Sequence, residues 1–130
     1  MNKTILLILI YILYSCETPK ETNISEIIVY KVNLNIDTSI EVDCNDFQST
    51  FSKKIKTYSI KDKIILNKLY FLLKKTKKSK ENISLDVRKK IIILYKNKTS
   101  DTLCIDRFNI MINSQLIEIN NDLLDFSHDL

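Results

Sequence analysis

The chain has 130 residues, a formal net charge of +4 and no glycine, and these properties exclude several kinds of function. Phosphate-cradling loops need glycine for close backbone approach and positive φ, so a nucleotide-binding enzyme is excluded. The weak positive charge comes from lysine, with Arg88 and Arg107 as the only arginines. Because phosphate and base recognition favour arginine, no nucleic-acid partner is predicted.

The N-terminal segment has the layout of a secretory signal. Met1–Thr4 is short and basic, Ile5–Leu13 is apolar, and the small residue Ser15 precedes Cys16. The uncharged run has about 12 residues, fewer than the roughly 20 that a membrane-spanning helix needs. Residues 1–15 are therefore predicted to be a signal peptide, either of a lipoprotein or of an ordinary secreted protein.

Leu13-Tyr14-Ser15-Cys16 resembles the lipobox of bacterial lipoproteins, in which Leu, any residue and a small residue precede Cys. The resemblance implies cleavage before Cys16 and a diacylglyceryl thioether on its sulfur, so that lipid chains such as palmitate hold the mature protein. It implies a cell membrane or outer membrane location, facing the periplasm or the cell exterior. Glu17 is not the aspartate of the family's inner-membrane retention pattern, which favours the outer membrane.

The segment after Cys16 is polar and contains Pro19, the only proline. This composition is typical of a flexible tether. We therefore predict a lipidated tether over residues 16–23 and a single α+β domain over residues 24–130, because the remaining length suits one core rather than two.

Two cysteines, Cys44 and Cys104, remain if Cys16 is acylated. An exported compartment allows a disulfide between them. The bond requires Cα atoms within about 7 Å, and the alternative is two small buried hydrophobic residues.

Alternating apolar residues predict a strand over Ser25–Ile36 and a second strand over Ile40–Cys44 that pairs with it. Residues 46–52 are predicted to form a loop or a short helical turn. Residues 54–59 are predicted to form a short edge strand, whose lysines discourage further pairing.

An amphipathic helix of roughly four turns is predicted next. Ser59 and Asp62 resemble a capping box at its start. Its apolar stripe consists of Ile65, Leu66, Leu69, Leu72 and Leu73. The basic end, Lys74–Lys80, is either a solvated helix end or a surface for anionic lipid headgroups.

The remaining chain is predicted to be mainly strand. Val87–Tyr95 becomes apolar on both sides and is expected at the centre of the sheet, and Leu103–Ile105 returns beside it. Asn113-Ser114 predicts a tight hairpin, and Asn120 predicts the cap of a short C-terminal helix. Together these elements predict an α+β two-layer sandwich, mainly an antiparallel sheet with the long amphipathic helix packed on one face.

Few residues offer catalytic or metal chemistry. The only histidine, His128, lies near the end, and no closely spaced cysteine pair accompanies it, so neither a nucleophilic triad nor a metal site or cofactor is predicted. Six aspartates are candidate acids, and most of them suit turns or caps; they are Asp43, Asp46, Asp62, Asp86, Asp101 and Asp106. The pairs Asp86 with Arg88 and Asp106 with Arg107 are the ones expected to line a cleft if one exists.

Two classes of function follow. The favoured one is a non-enzymatic binding or interaction module, anchored to the membrane through Cys16, with an unknown protein or glycan ligand. The alternative is a small carboxylate-dependent hydrolase that acts on cell-wall or imported glycan.

Overall fold

The structure is a computed structural model and describes residues 22–130. The predicted signal peptide over residues 1–15, the acylation site Cys16 and most of the predicted tether lie outside the described residues.

The described chain forms a six-stranded antiparallel sheet in the order β2-β1-β3-β4-β5-β6. The strands are β1 Ile24–Lys31, β2 Lys56–Ile60, β3 Lys89–Tyr95, β4 Ser100–Ile105, β5 Ile110–Ile112 and β6 Gln115–Leu116. The helices are α1 Phe47–Thr50, α2 Lys63–Lys74 and α3 Asn121–Asp129.

One face of the sheet packs against α2 and α3. Alternate strand residues point to this face, as the two-residue period of a strand requires. Its core includes Ile27, Val29, Ile91, Ile93, Leu103 and Ile105 from the strands, and Leu66, Leu69, Leu123 and Phe126 from the helices.

The opposite face carries a second apolar core. The segment between β1 and β2 covers it, together with the residues that precede β3. This core includes Val32, Val42, Phe47, Phe51, Leu85, Val87, Cys104 and Leu116. The central strands are therefore buried on the first face and partly covered on the second.

The predicted two-layer sandwich with one long amphipathic helix on one face is wrong. A six-stranded antiparallel sheet dominates the structure, and α2 has only 12 residues. It shares its sheet face with α3, and irregular chain and α1 cover the other face. The apolar pattern predicted a longer helix than the one observed, and it assigned residues of the covering segment to the sheet.

The predicted strand over Ile40–Cys44 is also wrong. Those residues lie outside the sheet, and β1 pairs with β2 and β3 instead. The backbone groups of Val42 are bonded elsewhere: its N–H donates to the Asp86 carboxylate, and its carbonyl accepts from Val87. The first strand ends at Lys31 rather than at Ile36.

The start and the end of α2 differ from the prediction. Asp62 is the N-cap, and its carboxylate accepts the N–H groups of Ile64 and Ile65. Ser59 lies in β2. The helix ends at Lys74, so most of the predicted basic helix end follows the helix rather than belonging to it.

Several local predictions are confirmed. The short edge strand corresponds to β2, and β3 lies between β1 and β4 near the centre of the sheet. Asn113 and Ser114 have φ values of 49° and 66° and turn the chain between β5 and β6. Asn120 caps α3 by accepting the N–H of Leu123 at 3.0 Å.

The sheet has two distinct ends. The proximal end contains Thr22, the start of β1 and the turn between β3 and β4, where Asn23 accepts a backbone hydrogen bond from Lys96. The distal end contains Lys31 and the turn between β4 and β5. Because β1 has eight residues, the two ends are about 23 Å apart at roughly 3.3 Å per residue.

Candidate functional site

A cleft of about 300 Å³ lies at the distal end. Three segments form it: the loop after β1, the residues before β3 and the turn between β4 and β5. Its lining residues are Ile36, Asp37, Thr38, Asp86, Arg88, Asp106, Arg107 and Phe108. The structure thus brings together both acid–arginine pairs that the sequence singled out.

Arg88 is buried at the base of the cleft, and protein acceptors use all of its hydrogen-bond donors. Its Nε donates to the Ile36 carbonyl at 3.2 Å, and Nη1 donates to the Val87 carbonyl at 3.1 Å. Nη1 and Nη2 each donate to an Asp86 carboxylate oxygen at 2.6 Å. Nη2 also donates to Thr38 Oγ1 at 3.0 Å. Since a guanidinium has five N–H donors, none remains for a ligand.

Asp86 is equally committed. Besides both bonds from Arg88, its Oδ1 accepts the backbone N–H of Val42 at 3.0 Å. The pair therefore connects the loop that follows β1 to the residues that precede β3. A buried arginine that lost this partner would be destabilising, which assigns the pair a structural role.

Asp106 is buried and organises the turn between β4 and β5. Its Oδ1 accepts the backbone N–H groups of Phe108 at 2.7 Å and Asn109 at 2.6 Å. Its own N–H donates to the Asn109 carbonyl at 3.1 Å. These bonds fix residues 106–109, hereafter the 106–109 turn, in one conformation by the side-chain-to-backbone bonding that aspartate favours in turns.

Arg107 and Phe108 project from this fixed turn. The guanidinium of Arg107 is exposed and donates from Nε and Nη2 to the Leu34 carbonyl, at 3.2 and 3.0 Å. Among the described residues, no carboxylate pairs with it. The phenyl ring of Phe108 is 70% exposed. An aromatic and an arginine side chain on a rigid turn are the residue types that dominate binding at protein interfaces.

The two candidate disulfide cysteines belong to the second core. Cys104 is one of its buried residues, and Cys44 packs against it. The structure joins Cys44 to Cys104, with Cα atoms 5.8 Å apart. Cys104 is in β4, whereas Cys44 is in the segment that covers the sheet. The bond therefore holds that segment against the strand.

Lys89, which follows Arg88 in the sequence, is a buried cation with a structural role. Its ammonium donates to the carbonyls of Ser127 at 2.6 Å and His128 at 2.9 Å, at the C-terminal end of α3. Burial, reinforced by the nearby charge of Lys31 and opposed by Asp129, lowers the pKa of Lys89 to about 8. At 2% exposure the side chain is closed to ligands.

His128 lies in the last turn of α3. Its Nε2 is 3.4 Å from the carbonyl oxygen of Arg107. No serine or cysteine among the described residues is bonded to its ring. The histidine instead connects α3 to the 106–109 turn.

Phe108 is the functional candidate that sequence reasoning missed. Phe108 alternates with Ile110 and Ile112 in the sequence, as residues of a strand do. The informative signal was Asp106 followed by Asn109. Side chains of these types bond nearby backbone N–H groups and favour a turn, so the residues between them lie outside the sheet.

Comparison with known protein families, curated proteins and solved structures found no match to this chain. None of the helices within residues 22–130 combines the length and apolar character that crossing a membrane requires. The same part of the chain contains no group of three or more side chains arranged to hold a metal ion.

Proposed function

We propose that this chain is a bacterial, lipid-anchored interaction module that binds a protein partner through the 106–109 turn. The observation that carries the proposal is the exposed ring of Phe108 on a backbone fixed by Asp106. A preorganised aromatic residue binds with little further loss of conformational entropy.

The residues around the ring define the partner's chemistry. Phe108 suits an apolar recess, and the remaining donors of Arg107 suit a nearby carboxylate, because charge-assisted hydrogen bonds are stronger than neutral ones. We therefore propose a folded protein of the cell envelope whose surface presents an acidic group beside an apolar pocket.

The anchor in this proposal is supported by the sequence Leu13-Tyr14-Ser15-Cys16. Mass spectrometry of the mature N-terminus tests it directly. Cleavage before Cys16 with an acyl mass on that residue is expected. An unmodified Cys16, or a chain that still begins at Met1, would contradict it.

The competing hydrolase would need carboxylates that are available to substrate. Three carboxylates line the cleft. Both oxygens of Asp86 bond Arg88, and Asp106 accepts two backbone N–H groups, so Asp37 is the single described lining carboxylate without such bonds. A glycosidase needs a pair of available carboxylates. This arrangement favours the binding proposal, because a general acid or base must reach the substrate with its own oxygen.

Co-purification of the partner from intact membranes, compared between the natural chain and Phe108→Ala, tests the binding proposal. Removing a central aromatic contact should cost about 2 kcal/mol or more, roughly a 30-fold loss of partner affinity. The matched control is Ile119→Ala, since Ile119 is 73% exposed but does not line the cleft. A partner retained equally by both variants would contradict the proposed site.

A further inference from the structure

The proximal end of the domain carries a second surface of distinct character. We name it the proximal face and define it by Lys61, Lys63, Ile64, Lys96 and Lys98. Ile64 is 79% exposed, in the first turn of α2. Lys98 lies in the turn between β3 and β4 and has a φ of 68°. An exposed aliphatic side chain among lysines is the composition of surfaces that lie on anionic membranes.

A cavity of about 220 Å³ opens within this face. Thr22 and Ser25 line it together with three lysines, and no carboxylate is among its lining residues. Two acids adjacent in sequence to lining residues already have partners: Glu26 pairs with Lys61 at 3.6 Å, and Asp62 caps α2. The four lysines of the proximal face outnumber these two acids, so the face carries a net positive charge that suits an anionic headgroup.

The proximal face lies at the end of the domain that follows the proposed anchor in the chain. Cys16 is six residues before Thr22, and six residues span at most about 21 Å. Thr22 lies at the proximal end, whereas the distal end is about 23 Å away along β1. The proximal end can rest on the bilayer without extension of the connecting residues, whereas even their full extension does not span the distance to the distal end.

We propose that the proximal face lies on the anionic phospholipid headgroups of the membrane that holds the anchor. The proposal rests on the lipid anchor proposed above and adds the orientation of the domain. The 106–109 turn then points away from the bilayer, toward partners in the surrounding compartment. The proposal assigns the lipid contact to the lysines of the proximal face rather than to Lys74–Lys80, which lie at and after the C-terminal end of α2.

The test uses the full chain purified from membranes and reconstituted in vesicles of phosphatidylcholine, with or without phosphatidylglycerol. A water-soluble amine reagent labels lysines, and mass spectrometry measures the rate at each one. Lys63 and Lys98 should react about fivefold more slowly in the anionic vesicles, the factor that corresponds to one surface lysine contact. Lys53 and Lys54, exposed near the distal end, are internal controls and should react equally in both.

A pair of variants separates this orientation from nonspecific attraction. In the natural chain, Lys61 should also be protected in anionic vesicles. The double variant Lys63→Gln with Lys98→Asn should restore its rapid labelling. Asparagine is chosen because it tolerates the positive φ at position 98. Lys53→Gln with Lys54→Gln should leave Lys61 protected.

The N-terminal mass is measured in the same samples. Acylated Cys16 without protection of Lys63 and Lys98, or with equal protection of Lys53 and Lys54, overturns the orientation and leaves the anchor intact. An unacylated Cys16 removes the anchor and this proposal with it.

Discussion

Asp106 and Phe108 are joined by a 2.7 Å hydrogen bond from the Phe108 backbone to the buried Asp106 carboxylate. The bond fixes the Phe108 backbone while its ring stays 70% exposed. Burial of an exposed hydrophobic side chain by a partner contributes about 25 cal/mol per Å² of apolar surface. The relationship explains why the turn is a stronger binding candidate than the polar base of the cleft.

Replacing Asp106 with alanine should weaken partner binding even though Arg107 and Phe108 are unchanged. The turn would lose the acceptor for two backbone N–H groups, at a cost of about 1 to 3 kcal/mol in the free energy of unfolding. Asp106→Asn is the control, because its amide oxygen can still accept both bonds. Affinity for the co-purified partner and chemical denaturation of all three proteins check this, and equal affinity in all three would contradict it.

A double-mutant cycle on Asp86 and Arg88 should show strong coupling. Asp86→Ala leaves the buried guanidinium without its carboxylate, and such losses cost about 3 to 5 kcal/mol. Adding Arg88→Met removes the unpaired charge and should recover part of that loss. Urea denaturation measures the free energies. Additive effects of the two substitutions would show that the pair is not the structural connection described above.

The free energy of unfolding should rise between about pH 8 and 9.5 because of Lys89. Its folded pKa is lowered to about 8, mainly by burial, whereas an unfolded lysine titrates near 10.4. In this range the unfolded chain binds more protons than the folded chain, so stability increases with pH. Lys89→Met should flatten the rise, whereas Lys75→Met, at an exposed position, should preserve it. An unchanged slope in Lys89→Met would contradict the assignment.

Above about pH 10 the trend should reverse because of Tyr95. Burial and the 2.6 Å hydrogen bond to Asp101 raise the pKa of its phenol. The unfolded tyrosine loses its proton near pH 10 while the folded one keeps it, so folding stability falls as pH rises. Tyr95→Phe should remove this decline in the same denaturation series, and a decline of equal steepness in that variant would exclude Tyr95 as its source.

The bond between Cys44 and Cys104 should contribute strongly to stability because it closes a loop of 60 residues. The chain-entropy model gives about 4 kcal/mol for a loop of this length. A reductant should lower the melting temperature of the natural chain and leave that of Cys44→Ala with Cys104→Ala unchanged. Thiol labelling of the unfolded, unreduced chain should detect neither cysteine; labelling of both would reduce them to packing residues.

The strands with strong local signals were predictable. Ile91, Ile92 and Ile93 are apolar on both sides of the strand, which indicates a position covered on both faces. Asn113-Ser114 and Asn120 likewise determine their turn and cap through their own backbone conformation and side-chain bonds. These features need no knowledge of the rest of the chain.

The covering segment and the cleft were not predictable in this way. Ile40–Cys44 alternates like a strand, but Asp86, distant in sequence, takes the Val42 N–H. Asp43 bonds the N–H groups of Asn45 and Asp46 and turns the chain away. The acid–arginine pairs were visible in the sequence, yet their partners in the loop after β1 were not, because tertiary packing supplies those contacts.

Photo-crosslinking in intact membranes tests the central claim, that the 106–109 turn contacts a protein partner. A photoreactive phenylalanine analogue replaces Phe108 in one chain and Ile119 in another. We expect a single crosslinked protein from position 108, lost when Arg107→Gln is added, and none from position 119. Equal crosslinking from both positions, or none from 108 in a chain shown to be membrane-bound, would contradict the account.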